Sequence, residues 1–323
     1  MGAPIHVASA GLRRQFMPSG VSSKTAPRSN TPLDLVNLTP LMELSRGRGQ
    51  TMIALIDGPV ATGHPDLSEA NIRELPGRLP GTCDQTRSFA CMHGTFVAGI
   101  LIARRGSLAP AICPDTTLLV RPIFAETSAT NAPMPSATPK ELATAIFDCV
   151  EAGAHIINLS AALVQPSSKG ERRLEEALDY SARRGVIVVA AAGNQGTVGS
   201  SVITRHSWVI PVIACNSLGR PLSYSNLGNS IGRRGLSAPG ENITSLVANG
   251  KQLTFGGTSA AAPFVTGAIA LMWSEFPNAT AAQVKFSIMR STVGGSATVV
   301  PRLLNAWSAY QAMATTHARG GAL

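Results

Sequence analysis

Three residues that can act together in nucleophilic catalysis occur in this chain, each next to a glycine and an apolar segment. Asp57 follows the apolar run 52–56, His93 opens a small-residue segment at 93–103, and Ser259 precedes another at 260–273. An imidazole can take the proton of a hydroxyl while a carboxylate orients the imidazole. Singly, these residues are typical of a turn, a core and a helix cap. Together they predict an Asp-His-Ser catalytic triad.

The apolar pattern predicts the elements that position these side chains. The continuous run 52–56 is typical of a parallel strand buried on both faces, and its carboxyl end is where open α/β sheets bind ligands. Residues 259–273 are small or apolar on all sides, so they predict a buried helix with Ser259 at its N-terminus. Unpaired N–H groups at a helix N-terminus favour a developing anion.

The rest of the chain alternates between strand and helix patterns. Strands are predicted at 117–124, 155–159, 186–191 and 208–214, helices at 139–152, 169–184, 280–291 and 302–313, short helical turns at 31–45 and shorter β elements at 221–246. This alternation predicts an α/β fold with a doubly wound, mostly parallel sheet flanked by helices. We expect one folded domain at 31–315, a disordered or loosely attached extension at 1–30 and a flexible tail at 316–323.

Composition limits the possible partners. With 323 residues, 44% hydrophobic and 14% charged, the chain can bury a large core. The net charge is +9, but the arginines form scattered pairs without interleaved aromatics, so we expect a solvated surface and no nucleic-acid partner. An acidic peptide partner is a weaker alternative. No secretory signal and no run of 18 apolar residues is visible, so no membrane partner is expected.

The cysteines bear on the cellular compartment. Their number is odd, five, without regular spacing, which fits a reducing cytoplasm better than a disulfide framework. Cys83 and Cys91 are close enough in sequence to pair, but we expect buried free thiols. Cys91 lies two residues before His93, so its thiol could make activity sensitive to thiol reagents, although a buried packing role is the simpler interpretation. The pattern leaves the oligomeric state open.

Four blocks of sequence resemble the subtilisin-like serine proteases, or subtilases. They are Asp57-Gly58, His93-Gly94-Thr95-Phe96-Val97-Ala98-Gly99, Val188-Val189-Ala190-Ala191-Ala192-Gly193-Asn194 and Gly257-Thr258-Ser259-Ala260-Ala261-Ala262-Pro263. The resemblance spans most of residues 40–315. It implies a subtilisin-like fold and a serine endopeptidase with Asp57, His93 and Ser259 as the triad. It further implies an oxyanion hole formed by the Asn194 side chain and the Ser259 backbone N–H, assisted by the Thr258 hydroxyl.

The resemblance also implies where a substrate would bind. The segment Asn158-Leu159-Ser160-Ala161-Ala162 is similar to the family strand that pairs with an extended peptide, and it indicates the substrate-binding residues Ser160, Ala161, Ala162, Ala192 and Gly193. The family usually has Leu-Gly-Gly where this chain has 161–163. We expect the Ala162 methyl to narrow the pocket for the residue before the scissile bond, and the small Ala161 to widen a more distant pocket. A small residue before the cut is therefore predicted.

Departures from the common family pattern indicate a subfamily. Asp57-Gly58-Pro59-Val60 and the segments 112–124 and 153–160 are similar to the proteases that mature cyanobactins and related ribosomal peptides. Macrocyclising members carry a helical insertion, and the short span from Asp57 to His93 favours hydrolysis instead. Residues 104–108 supply few oxygen ligands where secreted subtilisins have a calcium loop, so we expect no metal and no cofactor. Only 56 residues precede Asp57, and we expect these to be too few for the folded inhibitory prodomain of secreted relatives together with the domain's own N-terminal segment.

Three functions are compatible with these patterns. The first is a cytoplasmic endopeptidase that removes a leader or flanking segment from a ribosomally made precursor peptide or protein. The second is a broad-specificity intracellular degradative subtilase, which has the same chemistry with less selectivity. The third is a non-catalytic peptide-binding scaffold, against which the complete triad and Asn194 argue.

Overall fold

An eight-stranded sheet, parallel throughout its pairings, forms the centre of the molecule. The computed structural model describes residues 5–7, 31–127, 135–163, 171–290 and 299–320, with side chains except at 5–7 and 317–320. From edge to edge the strands are β13 (Arg302–Leu303), β10 (Leu236–Pro239), β9 (Val209–Cys215), β8 (Ile187–Ala191), β6 (Ile156–Leu159), β2 (Met52–Asp57), β4 (Thr117–Pro122) and β3 (Asn71–Glu74).

Helices cover both faces of this sheet. Successive side chains of a strand point to opposite faces, and those of β2 are apolar on both, so each face needs a covering layer. Ile53 and Leu55 pack in one apolar core with helices α3 (Phe89–Ile102) and α8 (Thr258–Glu275). Ala54 and Ile56 pack in a second core with helices α4 (Pro139–Glu151) and α5 (Arg172–Arg183). The predicted doubly wound α/β sheet is confirmed, and the predicted central strands differ from the observed ones only at their ends.

The remaining helices are mostly short. They are α1 (Pro32–Leu35), α2 (Thr39–Leu44), α6 (Val202–Arg205), α7 (Asn229–Arg234), α9 (Ala281–Arg290) and α10 (Ala306–Gly320). Helix α10 runs beyond the predicted end at residue 313 and includes 316–320, part of the segment expected to be a flexible tail. No proline interrupts the helical sequence there, and residues 321–323 lie outside the described part. In the described ranges, no helix is both long and apolar enough to cross a membrane.

Two small antiparallel sheets flank the central one. Strands β11 (Ile243–Val247) and β12 (Lys251–Phe255) form a hairpin that packs on α3. Strand β1 (Ile5–Val7) lies between β5 (Ser136–Ala137) and β7 (Ala161–Leu163) and pairs with both. The tripeptide 5–7 is therefore held in a sheet, unlike the loosely attached extension expected for 1–30, because β5 and β7 each offer it a free edge. Residues 1–4 and 8–30 lie outside the described part.

The cysteines differ from expectation. Cys83 and Cys91 form a disulfide with a Cα–Cα distance of 5.6 Å, so the prediction of free thiols is wrong for this pair. The chain turns back between them, and this brings Cys83 beside the first turn of α3. Cys113, Cys149 and Cys215 are buried and free. A disulfide removes the cysteine-based argument for a reducing compartment.

Candidate active site

The three predicted triad residues come from three elements that meet at the carboxyl edge of the sheet. Asp57 is the last residue of β2, His93 belongs to α3 and Ser259 is the second residue of α8. His93 Nδ1 lies 2.8 Å from Asp57 Oδ1, and His93 Nε2 lies 3.0 Å from Ser259 Oγ. All three side chains are buried. The structure thus brings them into one hydrogen-bonded series in the order that proton transfer from the serine requires.

The backbone around Asp57 orients its carboxylate. The Ile123 amide donates to the Asp57 carbonyl at 2.9 Å, continuing the pairing of β2 and β4. The Gly58 amide donates to Asp57 Oδ1 at 2.7 Å, so this oxygen faces both Gly58 and His93. Asp57 Oδ2 is buried without a hydrogen-bond partner among the described groups. The contacts at Oδ1 therefore decide which way the carboxylate is turned.

Two glycines explain the departure of Asp57-Gly58 from the usual family pattern. A Cβ atom at Gly58 would lie 2.1 Å from the Ala90 carbonyl oxygen, and one at Gly94 would lie 2.4 Å from the Pro59 carbonyl oxygen. Helix α3 therefore packs its backbone directly against the loop that follows β2. This close approach sets the short distance between Asp57 and His93.

His93 lies in the second turn of α3 rather than at its start, which corrects the predicted helix boundary. The helix begins at Phe89, because Ala90, Cys91 and Met92 also adopt helical geometry. Phe89, one turn before His93, stacks on the imidazole with 5.8 Å between ring centroids. Phe255, the last residue of β12, meets the imidazole edge-on at 6.0 Å. These two rings limit the rotation of His93, and the sequence analysis missed both contacts.

Ser259 is positioned by the entry into α8. Gly257 has φ of +128° and its amide donates to the Gly240 carbonyl at 2.8 Å. A side chain at position 257 would be strained, since L-residues rarely adopt this backbone conformation. The turn places Ser259 in the first turn of a helix that is buried from Thr258 to Ser274. The Ser259 backbone N–H thereby lies at the positive end of the helix dipole.

Asn194 and Thr258 are linked to each other beside Ser259. The Thr258 backbone N–H donates to Asn194 Oδ1 at 2.9 Å. Only an oxygen can accept from a backbone N–H, so this contact fixes which end of the Asn194 amide is Oδ1 and turns Nδ2 away from the Thr258 N–H. Asn194 Nδ2 is buried and has no hydrogen-bond partner among the described groups. The Gly193 amide donates to Thr258 Oγ1 at 3.2 Å. An unused buried donor next to a hydroxyl is the arrangement that an oxyanion requires.

The predicted substrate-binding residues fall into two places. Ser160 leads from β6 into β7, and Ala162 on β7 packs against Ala191 at the end of β8. Ala192 follows Ala191 and is buried, and the Gly193 backbone continues toward Asn194. Ala161 points to the opposite side, where it is fully buried in the core that contains α4 and α5.

A buried polar series that the sequence analysis did not single out joins the serine helix to the predicted substrate strand. Thr266, two turns after Ser259 on α8, donates to Asn158 Oδ1 at 2.7 Å. Asn158 Nδ2 donates to Ser160 Oγ at 2.8 Å. Both links are buried, so they fix the spacing between α8 and the start of β7. The only signal in the sequence is a polar residue inside an apolar strand at Asn158.

Metal ligands are scarce among the described residues. The single cluster of suitable residue types is Cys83, Cys91 and Glu126, and the disulfide removes both thiolates from ligation. Residues 104–108, where we expected few oxygen ligands, contribute the Arg105 guanidinium instead. It donates to the carbonyl oxygens of Met42, Ser45 and Ile112.

The family model described as the subtilase family (Peptidase_S8) matches residues 48–316. The chain belongs to the subtilase family. The four blocks of sequence that indicated this family all lie within the matched residues.

Curated relatives include a thermostable alkaline protease of Halalkalibacterium halodurans and subtilisin amylosacchariticus of Bacillus subtilis subsp. amylosacchariticus. The first is 30% identical over 234 residues, which cover 72% of this chain and 59% of the relative. The second is 31% identical over 238 residues, which cover 72% of this chain and 58% of the relative. The chain thus aligns with less than two thirds of the length of these relatives.

Solved structures extend the similarity over nearly whole chains. A mutant of the protease domain of PatA matches with a TM-score of 0.77 and 30% identity, covering 84% of this subtilase and 97% of that chain. The prenylagaramide maturation protease PagA matches with a TM-score of 0.74 and 28% identity, covering 85% and 98%. The expected similarity to maturation proteases is confirmed.

Proposed function

We propose that this subtilase is a serine endopeptidase that removes a leader or flanking segment from a ribosomally made precursor peptide. The observation that carries the proposal is the series Asp57 Oδ1, His93 Nδ1, His93 Nε2 and Ser259 Oγ, with separations of 2.8 and 3.0 Å. Distances of this size allow the imidazole to accept the serine proton directly.

Acylation begins at Ser259. Its hydroxyl attacks the carbonyl carbon of the scissile bond while His93 Nε2 accepts the proton. Asp57 holds the proton of Nδ1 on the far side of the ring, which leaves Nε2 free to act as the base. The imidazolium then protonates the leaving amine, and the C–N bond breaks. Water attacks the resulting ester through the same histidine and releases the acyl fragment.

The oxyanion of each tetrahedral intermediate is stabilised by Asn194 Nδ2 and the Ser259 backbone N–H. The contact from the Thr258 N–H to Asn194 Oδ1 orients the amide before substrate arrives. A donor that is already in place needs no reorganisation during the reaction, which is why such groups lower the barrier effectively. The Thr258 hydroxyl accepts from the Gly193 amide, so its part is to hold the loop at 193–194 against α8.

Precursor processing is favoured over general degradation by the structural neighbours, which are named as maturation proteases.

Hydrolysis is favoured over macrocyclisation by the segment between Asp57 and α3. All of this segment is described, and its regular structure is limited to a three-residue 3-10 helix at Pro65–Leu67 and strand β3. It therefore contains no helical insertion that could exclude water from an acyl-enzyme.

The proposal is tested by mass spectrometry of wild type and Ser259→Ala incubated with casein and with precursor peptides encoded near the gene. A single cut in one precursor that depends on Ser259, with casein intact, is the expected result. Casein cut at many sites supports the degradative alternative. If wild type and Ser259→Ala both leave all substrates intact, the endopeptidase proposal is wrong and a peptide-binding scaffold is the better interpretation.

A further inference from the structure

The disulfide between Cys83 and Cys91 joins the loop that precedes α3 to the first turn of that helix, which carries His93. Cys91 is buried and lies two residues before His93, whereas Cys83 is partly exposed. All five cysteines of the chain are described, and the other three are buried and free. A thiol reductant therefore has one disulfide to act on, and it reaches this disulfide from the side of Cys83.

The first turn of α3, residues 89–92, has few stabilising contacts of its own. The turn is fully described: its N-cap residue Ser88 makes no side-chain cap hydrogen bond, and no acidic residue lies in the turn. The Ser88 hydroxyl instead accepts from the Thr127 amide at 3.2 Å. Caps and acidic residues are the usual partners of the free N–H groups at a helix start, so this turn is weakly held. The disulfide supplies a covalent constraint at Cys91, in the middle of the turn.

The same turn helps to position the catalytic histidine. Phe89 stacks on the His93 imidazole with 5.8 Å between ring centroids and lies 6.3 Å from the ring of Phe255. Phe255 meets the imidazole edge-on at 6.0 Å, so the three rings form one cluster. When the turn loosens, the imidazole loses its stacked neighbour. The alignment of His93 Nε2 with Ser259 Oγ, 3.0 Å apart, is then less well maintained.

The loop between the two cysteines has other anchors. The Glu126 carboxylate accepts from the amides of Asp84 and Gln85, each at 2.9 Å. Asn249 Nδ2 donates to Thr86 Oγ1 at 3.1 Å. These contacts bind the loop to the segment after β4 and to the hairpin of β11 and β12, and they do not involve residues of α3. Breaking the disulfide would therefore leave the loop in place and release the helix turn.

We propose that the disulfide between Cys83 and Cys91 is a redox switch for the catalytic histidine. A dithiol reductant opens it and lowers the activity of the enzyme, and a small-molecule disulfide such as oxidised glutathione closes it again. This inference rests on the proposed endopeptidase function and assigns to it a form of regulation.

The opening reaction is a thiol–disulfide exchange. A thiolate of the reductant attacks Cys83 Sγ, and Cys91 Sγ leaves as a thiolate that takes up a proton. The second thiol of the reductant then attacks its own sulfur in the mixed disulfide, and Cys83 leaves in the same way. Two electrons and two protons pass to the protein, which gains two thiols, and the reductant becomes a disulfide. Closing by oxidised glutathione is the reverse exchange and yields two molecules of glutathione.

The test measures the rate at which Ser259 is labelled by a fluorophosphonate dye, which needs no knowledge of the substrate. Full-length wild type is oxidised and then treated with dithiothreitol in the presence of EDTA, because the opened thiols and Glu126 would together offer metal ligands. We expect the labelling rate constant to fall at least about tenfold on reduction, since small displacements of catalytic groups cost large factors in rate. Removing dithiothreitol and adding oxidised glutathione should restore the starting rate.

Three variants distinguish the switch from a general loss of structure. The double variant Cys83→Ser/Cys91→Ser should label at the rate of reduced wild type and should not respond to dithiothreitol. Phe89→Leu keeps the disulfide but lacks the stacked ring, so it should label slowly even when oxidised and change little on reduction. Cys215→Ser replaces a buried free cysteine at the end of β9 and should respond like wild type.

Hydrogen exchange measured by mass spectrometry tests the structural part without any activity. The Met92 amide donates to the Ser88 carbonyl at 3.0 Å, and the next three amides donate to carbonyls of the first turn. On reduction of wild type, the amides of residues 92–95 should exchange at least about tenfold faster, while those of α8 stay protected.

The possible outcomes separate this inference from the proposed function. A labelling rate in wild type that does not change with dithiothreitol, or that falls equally in the double variant, overturns the switch and leaves the endopeptidase intact. Faster exchange throughout the chain on reduction shows that the disulfide serves general stability, and the switch is then wrong as well. If oxidised wild type is not labelled at Ser259 at all, the proposed function fails first, and the switch fails with it.

Discussion

The orientation of one amide decides whether Asn194 can stabilise an anion. Its oxygen is occupied by the Thr258 backbone N–H at 2.9 Å, and its buried Nδ2 has no partner in the described part of the chain. A buried donor without a partner costs free energy in the resting enzyme. We infer that this cost is retained because the donor gains its partner only when the oxyanion forms.

Replacing Asn194 with alanine should therefore lower kcat about 10²–10³-fold with little change in KM. The reason is that the lost contact exists in the transition state and not in the bound ground state. Steady-state kinetics on the cleaved precursor or on casein provide the measurement. Asn278→Ala is the matched control, since Asn278 is an exposed asparagine beyond the far end of α8. A change confined to KM would contradict the assigned role.

In the proposed function, Ala162 limits the pocket for the residue before the scissile bond; it is 5% exposed and packs on Ala191. Removing its methyl group in Ala162→Gly should enlarge the pocket. We expect kcat/KM for peptides with Phe or Leu before the cut to rise about tenfold relative to peptides with Ala there. A peptide library compared between wild type and variant measures this. Ala161→Gly is the control, because Ala161 lies in the opposite core and should not change the preference.

At this scale, the proximity of Asp57, His93 and Ser259 and the position of Asn194 beside Thr258 could be predicted, because each residue is adjacent to a glycine-rich block with few alternative structures. The contacts around them could not. Phe89 is recognisable as a neighbour of His93 only if the helix start is known, and Phe255 arrives from a hairpin distant in sequence. The link from Thr266 to Asn158 likewise joins residues 108 positions apart, so no local pattern contains it.

At the scale of elements, a guanidinium joins the N-terminal helices to the end of α3. Arg105 Nη2 donates to the Ser45 carbonyl at 2.6 Å and to the Ile112 carbonyl at 3.1 Å, and Nη1 donates to Met42. Burial lowers the pKa of Arg105, and the positive charge of Arg46 lowers it further. Three converging carbonyl oxygens would suit a hard cation, and in this chain they bind an arginine instead.

Arg105→Met should lower the free energy of unfolding by about 3 kcal/mol, because three carbonyl oxygens lose a charged donor at once. Urea unfolding followed by circular dichroism measures the change. Arg104→Met is the control: Arg104 makes a largely exposed ion pair with Asp66 at 3.0 Å, and its loss should cost under about 1 kcal/mol. Equal losses in the two variants would show that the carbonyl contacts of Arg105 contribute little.

The same arrangement predicts how the protein responds to a chelator. Since an arginine occupies the carbonyl cluster, EDTA should leave the thermal midpoint of wild type unchanged. A large fall in the midpoint on adding EDTA, restored by calcium, would instead demonstrate a stabilising metal site that we did not expect.

Elements were predictable where the pattern was long and buried, as in β2, β8 and β9. Elements were missed where a short strand is held in place by its neighbouring strands and has no clear pattern of its own. Strand β1 has only three residues, and its structure depends on the edges of β5 and β7 rather than on its own sequence. The disulfide between Cys83 and Cys91 was also missed, since spacing alone does not show that the chain turns back between the two residues.

For the whole molecule, partly or fully buried ionisable groups contribute to how stability changes in alkaline solution. Burial lowers the pKa of Lys285 to about 8 from an ordinary 10.5, and the charge of Arg234 adds to the effect. Burial raises the pKa of Cys113 to about 12 from an ordinary 9.0. The two act in opposite directions. Between pH 9 and 12 the thiol is protonated in the folded chain but not in the unfolded chain, so rising pH removes stability.

Lys285 has the reverse sign. Below pH 8 the Lys285 ammonium is charged in both the folded and the unfolded chain, so the folded chain bears the free-energy cost of partly burying a charge. Contacts with the Ser207 carbonyl at 2.8 Å and the Trp208 ring at 4.6 Å offset part of this cost. Between pH 8 and 10.5 the unfolded chain binds one more proton than the folded chain at this site, so rising pH adds stability.

Lys285→Met removes the titrating ammonium and keeps an apolar side chain of similar length. The buried thiols are present in both wild type and variant, so their effect cancels when the two unfolding free energies are subtracted. We therefore expect the unfolding free energy of wild type, minus that of the variant, to rise by about 1–2 kcal/mol between pH 7.5 and 10. This is less than 1.36 kcal/mol per pKa unit implies, since the ammonium keeps some solvent contact. Urea unfolding at several pH values gives this difference, with exposed Lys251→Met as the control. A difference that stays flat for Lys285→Met, or that rises equally for Lys251→Met, would show that burial of this lysine does not govern the alkaline response.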